Sequence, residues 1–174
     1  MRVISGTARG KKLNTLSGLN TRPTLDRVKE AVFSIIQFDL EDKNVLDLFS
    51  GSGALAIEAL SRGAKNAVMC DNSYEAIKII KQNVKETRLI DKVEIINKEN
   101  KKFDIIFLDP PYKSDFAIKS MEYIFRNNML LDDGIIIFET DDKNKEQEIL
   151  KYKEMRIFDI RKYGSVYVIF IRKG

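Results

Sequence analysis

Apolar residues along the chain switch between two periods, and the switching predicts an α/β protein. Residues 44–49, 65–70, 93–96, 103–108 and 134–138 are short runs of apolar character without strict alternation, as expected of parallel strands covered on both faces. Stripes of helical period lie between them. Residues 25–38 place Leu25, Val28, Val32, Ile35 and Ile36 on one face, with Thr24 as N-cap, and leave Arg27 and Lys29 free. A second helix runs through Ala54, Ala56, Ala59 and Leu60, and a third is capped by Ser73, reaches about Thr87 and turns Ala76, Ile77, Ile80 and Val84 inward. Residues 115–128 form a fourth, with Phe116, Ile118, Met121, Ile124 and Phe125 mostly on one side, and residues 143–152 a polar, solvated fifth.

Two antiparallel elements frame this core. Residues 156–161 and 166–172 flank Tyr163-Gly164-Ser165, short enough for a terminal hairpin, and residues 2–5 and 12–15 flank a Gly6–Gly10 turn as a small N-terminal hairpin. The order is βαβαβ, βαβαβ, hairpin, with no repeat or linker to mark a second full domain; the expectation is one domain, with a hairpin arm over 1–24 and a core over 25–174. One connection breaks the pattern. Asn97 to Lys102 leaves six residues before the strand at Phe103. A parallel crossover takes a dozen or more, and six extended residues reach only about 20 Å. The spacing therefore predicts that a segment is missing here, an expectation that a continuous chain of ordinary geometry would overturn.

Charge sharpens this picture. The chain carries +4 overall, but residues 1–30 hold seven basic side chains (Arg2, Arg9, Lys11, Lys12, Arg22, Arg27, Lys29) against Asp26 and Glu30, a local +5 on a near-neutral remainder. A basic arm of this kind is the footprint of contact with phosphates. The absence of histidine rules out imidazole catalysis and argues against a nitrogen/sulfur metal site; Cys70, alone, is expected to pack in the core. No apolar run approaches a membrane span, and the N-terminus lacks a signal peptide's apolar region, so a cytoplasmic protein is expected.

The candidate chemistry sits after the predicted strands. Ser50-Gly51-Ser52-Gly53 makes a tight turn into a helix, where Gly51 and Gly53 allow a nucleotide close to the backbone. Asp71 closes the next strand twenty positions after Gly51 and can accept from ribose hydroxyls. Asp109-Pro110-Pro111-Tyr112 follows the fourth strand. Its prolines supply no N–H and stiffen the exit, so a carboxylate and a carbonyl are presented beside an aromatic ring. That set suits a planar ligand bearing an amino group, held by two acceptors and stacked on Tyr112. The glycine turn with Asp71 also satisfies an NAD fingerprint, a weaker alternative.

Asp47-Leu-Phe-Ser-Gly51-Ser-Gly53 together with Asp-Pro-Pro-Tyr resembles the two signatures of Rossmann-like S-adenosylmethionine-dependent methyltransferases that modify exocyclic amines. The likeness extends through residues 1–10, Arg22-Pro23-Thr24-x-Asp26-Arg27-Val28-Lys29-Glu30 and Leu55-x-Ile-Glu58-Ala-Leu-Ser-Arg62-Gly63, which resemble the RsmD family of bacterial 16S rRNA guanine methyltransferases. The short stretch after Ile96, where the family carries more residues, departs from it.

The resemblance implies a class I methyltransferase fold: a mostly parallel seven-stranded sheet with an antiparallel C-terminal hairpin. It implies S-adenosylmethionine as cofactor, S-adenosylhomocysteine as product, no metal, and 16S rRNA, within the small ribosomal subunit or its precursor, as partner; the oligomeric state is left open, with a monomer favoured. It assigns the cofactor to Arg22, Pro23, Thr24, Asp47, Phe49, Gly51, Gly53, Asp71, Asn72 and Ser73, and catalysis to Asp109, Pro110, Pro111 and Tyr112. RNA would meet Arg2, Arg9, Lys11, Lys12, Arg22 and Arg27. The motifs alone leave open an adenine amino-methyltransferase acting on DNA or RNA, and a noncatalytic cofactor-binding RNA module.

Overall fold

The structure, a computed structural model, describes residues 1–16, 23–95, 101–111 and 115–174, with side chains in the first helix from Asp26 onward. Arg22, Tyr112 and most of the short 97–102 connection lie outside the described residues. The chain divides into two compact units, Met1–Lys98 and Glu99–Gly174.

The first unit contains α1 (Pro23–Ile35), β1 (Asn44–Asp47), α2 (Ala54–Ser61), β2 (Asn66–Met69), α3 (Tyr74–Glu86) and β3 (Val93–Ile95). Its strands are parallel in the order β3-β2-β1, with Asp47 opposite Met69 and Met69 opposite Ile95, so the carboxyl ends of all three lie at one edge. Helix α3 follows its sequence closely. Ser73 accepts from the Ala76 N–H at 3.3 Å as N-cap, and Ala76, Ile77, Ile80 and Val84 are buried. Burial of each larger member of that stripe contributes roughly 1.5–3 kcal/mol.

Helix α1 corrects two expectations. It includes Pro23 and Thr24, so Thr24 lies within the helix and not ahead of it; proline's fixed φ and missing N–H suit the first helical turn. Lys29 is buried, because the inward stripe is Val28, Val32 and Ile36 together with Lys29 and Phe33, one residue round the helix. Burial of Lys29 is made tolerable by Glu58 of α2, also fully buried, whose Oε2 lies 3.1 Å from Lys29 Nζ.

The same carboxylate anchors the N-terminal arm. Ile4 and Ser5 donate their N–H groups to Glu58 Oε2 and Oε1 at 2.8 and 3.0 Å, and Arg62 Nε donates to Oε1 at 2.8 Å. Lys29 Nζ also donates to the Arg2 carbonyl at 2.5 Å. The expected hairpin is present in short form: one antiparallel bridge, Arg2 to Lys12, is flanked by Val3 N–H to the Lys11 carbonyl, Gly10 N–H to the Val3 carbonyl and Leu13 N–H to the Met1 carbonyl. Its turn, closed by Arg9 N–H to the Gly6 carbonyl, also bonds to α2. Ala8 N–H and the Thr7 N–H go to the Ser61 hydroxyl and carbonyl. Only glycine fits at position 6, where φ is +82° and a Cβ would stand 1.7 Å from the Ser61 carbonyl oxygen.

The second unit contains β4 (Phe103–Leu108), α4 (Phe116–Arg126), β5 (Leu130–Thr140), α5 (Lys145–Ile149), β6 (Met155–Tyr163) and β7 (Val166–Lys173). Here β4 pairs parallel with β5, β5 antiparallel with β7, and β7 antiparallel with β6. The terminal hairpin is as expected. Phe116 is about half exposed, not inward, since it occupies the first position of α4 while Ala117, Met121 and Ile124 carry the buried face. The polar α5 is only five residues long, short of the expected ten; it has few apolar positions to pack and Ile149 alone is buried.

Candidate cofactor-binding and catalytic residues

Asp47 ends β1 and is 1% exposed, and among the described residues neither carboxylate oxygen has a hydrogen-bond partner. Burial dominates its titration and pushes it up to about 7, with the negative charge of Asp71 adding to the rise. The nearby Ala56 and Phe49 N–H groups and the Ser50 hydroxyl pull the other way without reversing it. The Ser50 hydroxyl itself donates to the Asp47 main-chain carbonyl at 2.8 Å. Among the described residues no donor within hydrogen-bond geometry completes this buried carboxylate, an environment costly for a charge and suited to a cation or an N–H group.

The glycine turn stands beside it. Gly51 and Gly53 have φ of +53° and +78°, which non-glycine residues rarely adopt. Gly51 N–H donates to Asp71 Oδ2 at 2.9 Å, and Ser73 N–H to Oδ1 at 2.9 Å, so Asp71 braces the turn from the end of β2. Each Asp71 oxygen has capacity for a further donor such as a ribose hydroxyl. A Cβ at Gly51 would meet nothing within 4 Å, which leaves that face of the turn open to a ligand. At Gly53 it would come within 3.2 Å of Met69 Sδ.

This unit thus brings Asp47, Gly51, Gly53, Asp71 and Ser73 together, with Phe49 half-buried and Asn72 exposed on the same two strand exits. Pro23 and Thr24 lie in the first turn of α1. Cys70 is half-buried just beyond β2 and not fully packed in the core, although its N–H still donates to the Asp47 carbonyl of β1 at 2.8 Å. Arg2, Arg9 and Arg27 line one cleft of about 350 Å³ with Asp26 and Glu30, and Lys11 and Lys12 are exposed on the return arm.

In the second unit, Asp109 and Pro110 follow the carboxyl end of β4, half-buried and buried respectively, and Pro111 is exposed. Among the described residues no group of three histidine, cysteine or acidic side chains could hold a metal, and no helix is long and apolar enough to cross a membrane.

Two residues escaped sequence reasoning. Glu58 was visible as a lone acid in an otherwise apolar helical run, Ala54-Leu-Ala-Ile-Glu-Ala-Leu60. Asn83 was visible as a polar residue on the apolar stripe of α3, between Ile80 and Val84; it is fully buried.

The acceptors at these strand exits are of a kind that takes cationic and hydroxyl donors, and comparison with known proteins gives the family. The family model described as Conserved hypothetical protein 95 matches residues 1–172. Bacillus subtilis YlbH is 38% identical over 152 residues, 81% of this chain and 83% of that protein. Ribosomal RNA small subunit methyltransferase D of Haemophilus influenzae is 32% identical over 182 residues, 95% of this chain and 94% of that one. The solved structure of yhhF from Escherichia coli superposes with a TM-score of 0.88 at 27% identity, covering 99% of this chain and 97% of the other. The expected Rossmann-like α/β fold, mostly parallel with an antiparallel terminal hairpin, is therefore the fold the chain has. With likeness running the length of the chain in both sequence and fold, this protein belongs to the RsmD family of methyltransferases.

Proposed function

We propose that the protein uses S-adenosylmethionine to methylate the exocyclic amino group of a guanine in 16S rRNA, within the small ribosomal subunit or its precursor, in the cytoplasm. The observation that carries the cofactor reading is the buried, unpartnered Asp47 carboxylate beside a glycine turn braced by Asp71. The name of the Haemophilus influenzae relative, a ribosomal RNA small subunit methyltransferase, supports the substrate.

When bound, S-adenosylmethionine supplies an electrophilic methyl group on a sulfonium. Asp47 holds the ammonium of its methionine moiety, the Gly51 and Gly53 backbone admits that moiety, and Asp71 accepts from the ribose hydroxyls, with Phe49, Asn72 and Ser73 completing the wall. Arg22, Pro23 and Thr24 close over the cofactor and meet RNA.

A guanine amine is a poor nucleophile because its lone pair is delocalised into the ring. Asp109 and the Pro110 carbonyl accept hydrogen bonds from its N–H groups and favour the pyramidal nitrogen of the transition state, while Pro111 stiffens the loop and Tyr112 stacks on the extruded base. Holding nitrogen and methyl in line then supplies much of the rate. Arg2, Arg9, Lys11, Lys12 and Arg27 grip phosphates.

The test is transfer of labelled methyl from S-adenosylmethionine to undermethylated small subunits, naked 16S rRNA and duplex DNA, with the modified base identified. Label on the guanine amine of rRNA alone is expected. Label on adenine, or in DNA, would overturn the substrate assignment, and cofactor binding without label on any RNA would overturn the enzyme reading. Asp109→Ala is expected to abolish transfer and leave cofactor affinity within about twofold, since Asp109 is assigned to the amine.

A further inference from the structure

Asn83 is 0% exposed, on the inward face of α3, and uses the full hydrogen-bonding capacity of its amide. Its Oδ1 accepts from the Asn14 N–H at 2.8 Å and from Asn14 Nδ2 at 3.0 Å. Its Nδ2 donates to the Asn14 carbonyl at 2.9 Å and to the Ser52 carbonyl at 2.8 Å. One side chain therefore grips two segments. Asn14 follows the last backbone bond of the arm, from Leu13 N–H to the Met1 carbonyl, and so marks the base of the arm's return strand. Ser52 lies between the two positive-φ glycines.

The consequence for the glycine turn is specific. The peptide between Ser52 and Gly53 is held at both ends, its carbonyl by Asn83 and its N–H by the Ser50 carbonyl at 2.6 Å. Glycine on either side of Ser52 offers little steric resistance to a peptide flip, so these two bonds define the plane. The arm has its other anchor at Glu58, near its turn, and Asn83 fixes its opposite end.

We propose that Asn83 is a positioning residue that holds the glycine turn and the base of the basic arm in one geometry, so that cofactor affinity and RNA affinity both depend on a side chain buried from either ligand. The proposal rests on the reading of the glycine turn as the cofactor's seat and of the arm as an RNA contact. A half-satisfied amide network transmits strain to both neighbours, because each lost bond leaves a buried carbonyl or N–H without a partner.

Asn83→Asp keeps the two acceptor bonds from Asn14 and sets a carboxylate against the Ser52 and Asn14 carbonyls. It is expected to weaken S-adenosylmethionine and 16S rRNA binding about tenfold each, by calorimetry and filter binding on folded protein. The turnover number at saturation should stay within about threefold of wild type, since no reacting group is touched. Asn14→Ala removes one bond to Asn83 and leaves the Ser52 bond in place. It is expected to weaken RNA binding about threefold and leave cofactor affinity within about twofold, and it serves alone should the Asp variant not fold.

A purely structural role would lower the melting temperature and the folded fraction without moving either dissociation constant, and that result overturns the proposal. So does an Asn14→Ala variant with wild-type RNA affinity. Wild-type protein that binds no cofactor overturns the functional reading itself, and this proposal with it; wild-type binding with unaltered variants removes the proposal alone.

Discussion

Glu58 and Asp47 are both carboxylates sealed in the first compact unit, and they have opposite environments. Glu58 meets two backbone N–H groups, Lys29 and Arg62; burial raises its pKa, yet the Ile4 N–H, Arg62 and Lys29 together bring it below the ordinary range. Asp47 has no hydrogen-bond partner among the described residues, and burial raises it to about 7. The difference separates a carboxylate that completes the fold from one that we propose completes the cofactor's seat. Glu58 pins the arm to α1 and α2. The cost of Asp47 remains until something positive lies against it.

The largest effect expected from breaking the comparison is at Glu58. Glu58→Ala leaves Lys29 buried without its counter-charge and should cost about 3–5 kcal/mol in denaturant unfolding. Exchange protection should fall at the Ile4 and Ser5 amides first. Asp47→Asn should do the reverse to the fold. It removes a buried orphan charge, so the ligand-free protein should melt at the same or a higher temperature at pH 8, while cofactor affinity falls about 100-fold, or roughly 3 kcal/mol.

Changing pH sharpens the same contrast with a smaller effect. A raised folded pKa means that the unliganded protein loses stability from Asp47 as pH rises from about 4 to about 7, and a bound cation favours the ionised form. Cofactor affinity should therefore rise up to about tenfold per unit as pH approaches 7 and level off above it. Glu58, with its lowered pKa, contributes stability above about pH 4.5 that is lost only in stronger acid. Smallest is Arg9→Ala, on the exposed turn of the arm. It should weaken RNA binding by under about 1 kcal/mol, reduce the salt slope by about one, and leave the cofactor untouched.

These two carboxylates also mark what the sequence can and cannot disclose. Asp47, Gly51, Gly53 and Asp71 were legible because they lie within 25 positions of one another and at the ends of apolar runs that read as strands. Helix α3 and strand β4 were legible for the same local reason, a capping serine with a clean stripe and an unbroken run of six. Lys29 was misjudged because its partner lies on another helix. The bonds from Ile4 to Glu58 and from Asn14 to Asn83 span 54 and 69 positions, and no local period encodes them. The start of α1 was misplaced because Thr24 satisfies the capping pattern while Pro23, one residue earlier, already has helical φ.

The central claim, that Asp47 is unpartnered because the cofactor's cation completes it, is tested most directly by calorimetry of S-adenosylmethionine binding at pH 6.5 in two buffers of different ionisation enthalpy. Wild-type protein should release a substantial fraction of a proton on binding, and Asp47→Asn should release none and bind about 100-fold more weakly. Equal affinity in the two proteins, with no proton released by either, would contradict it.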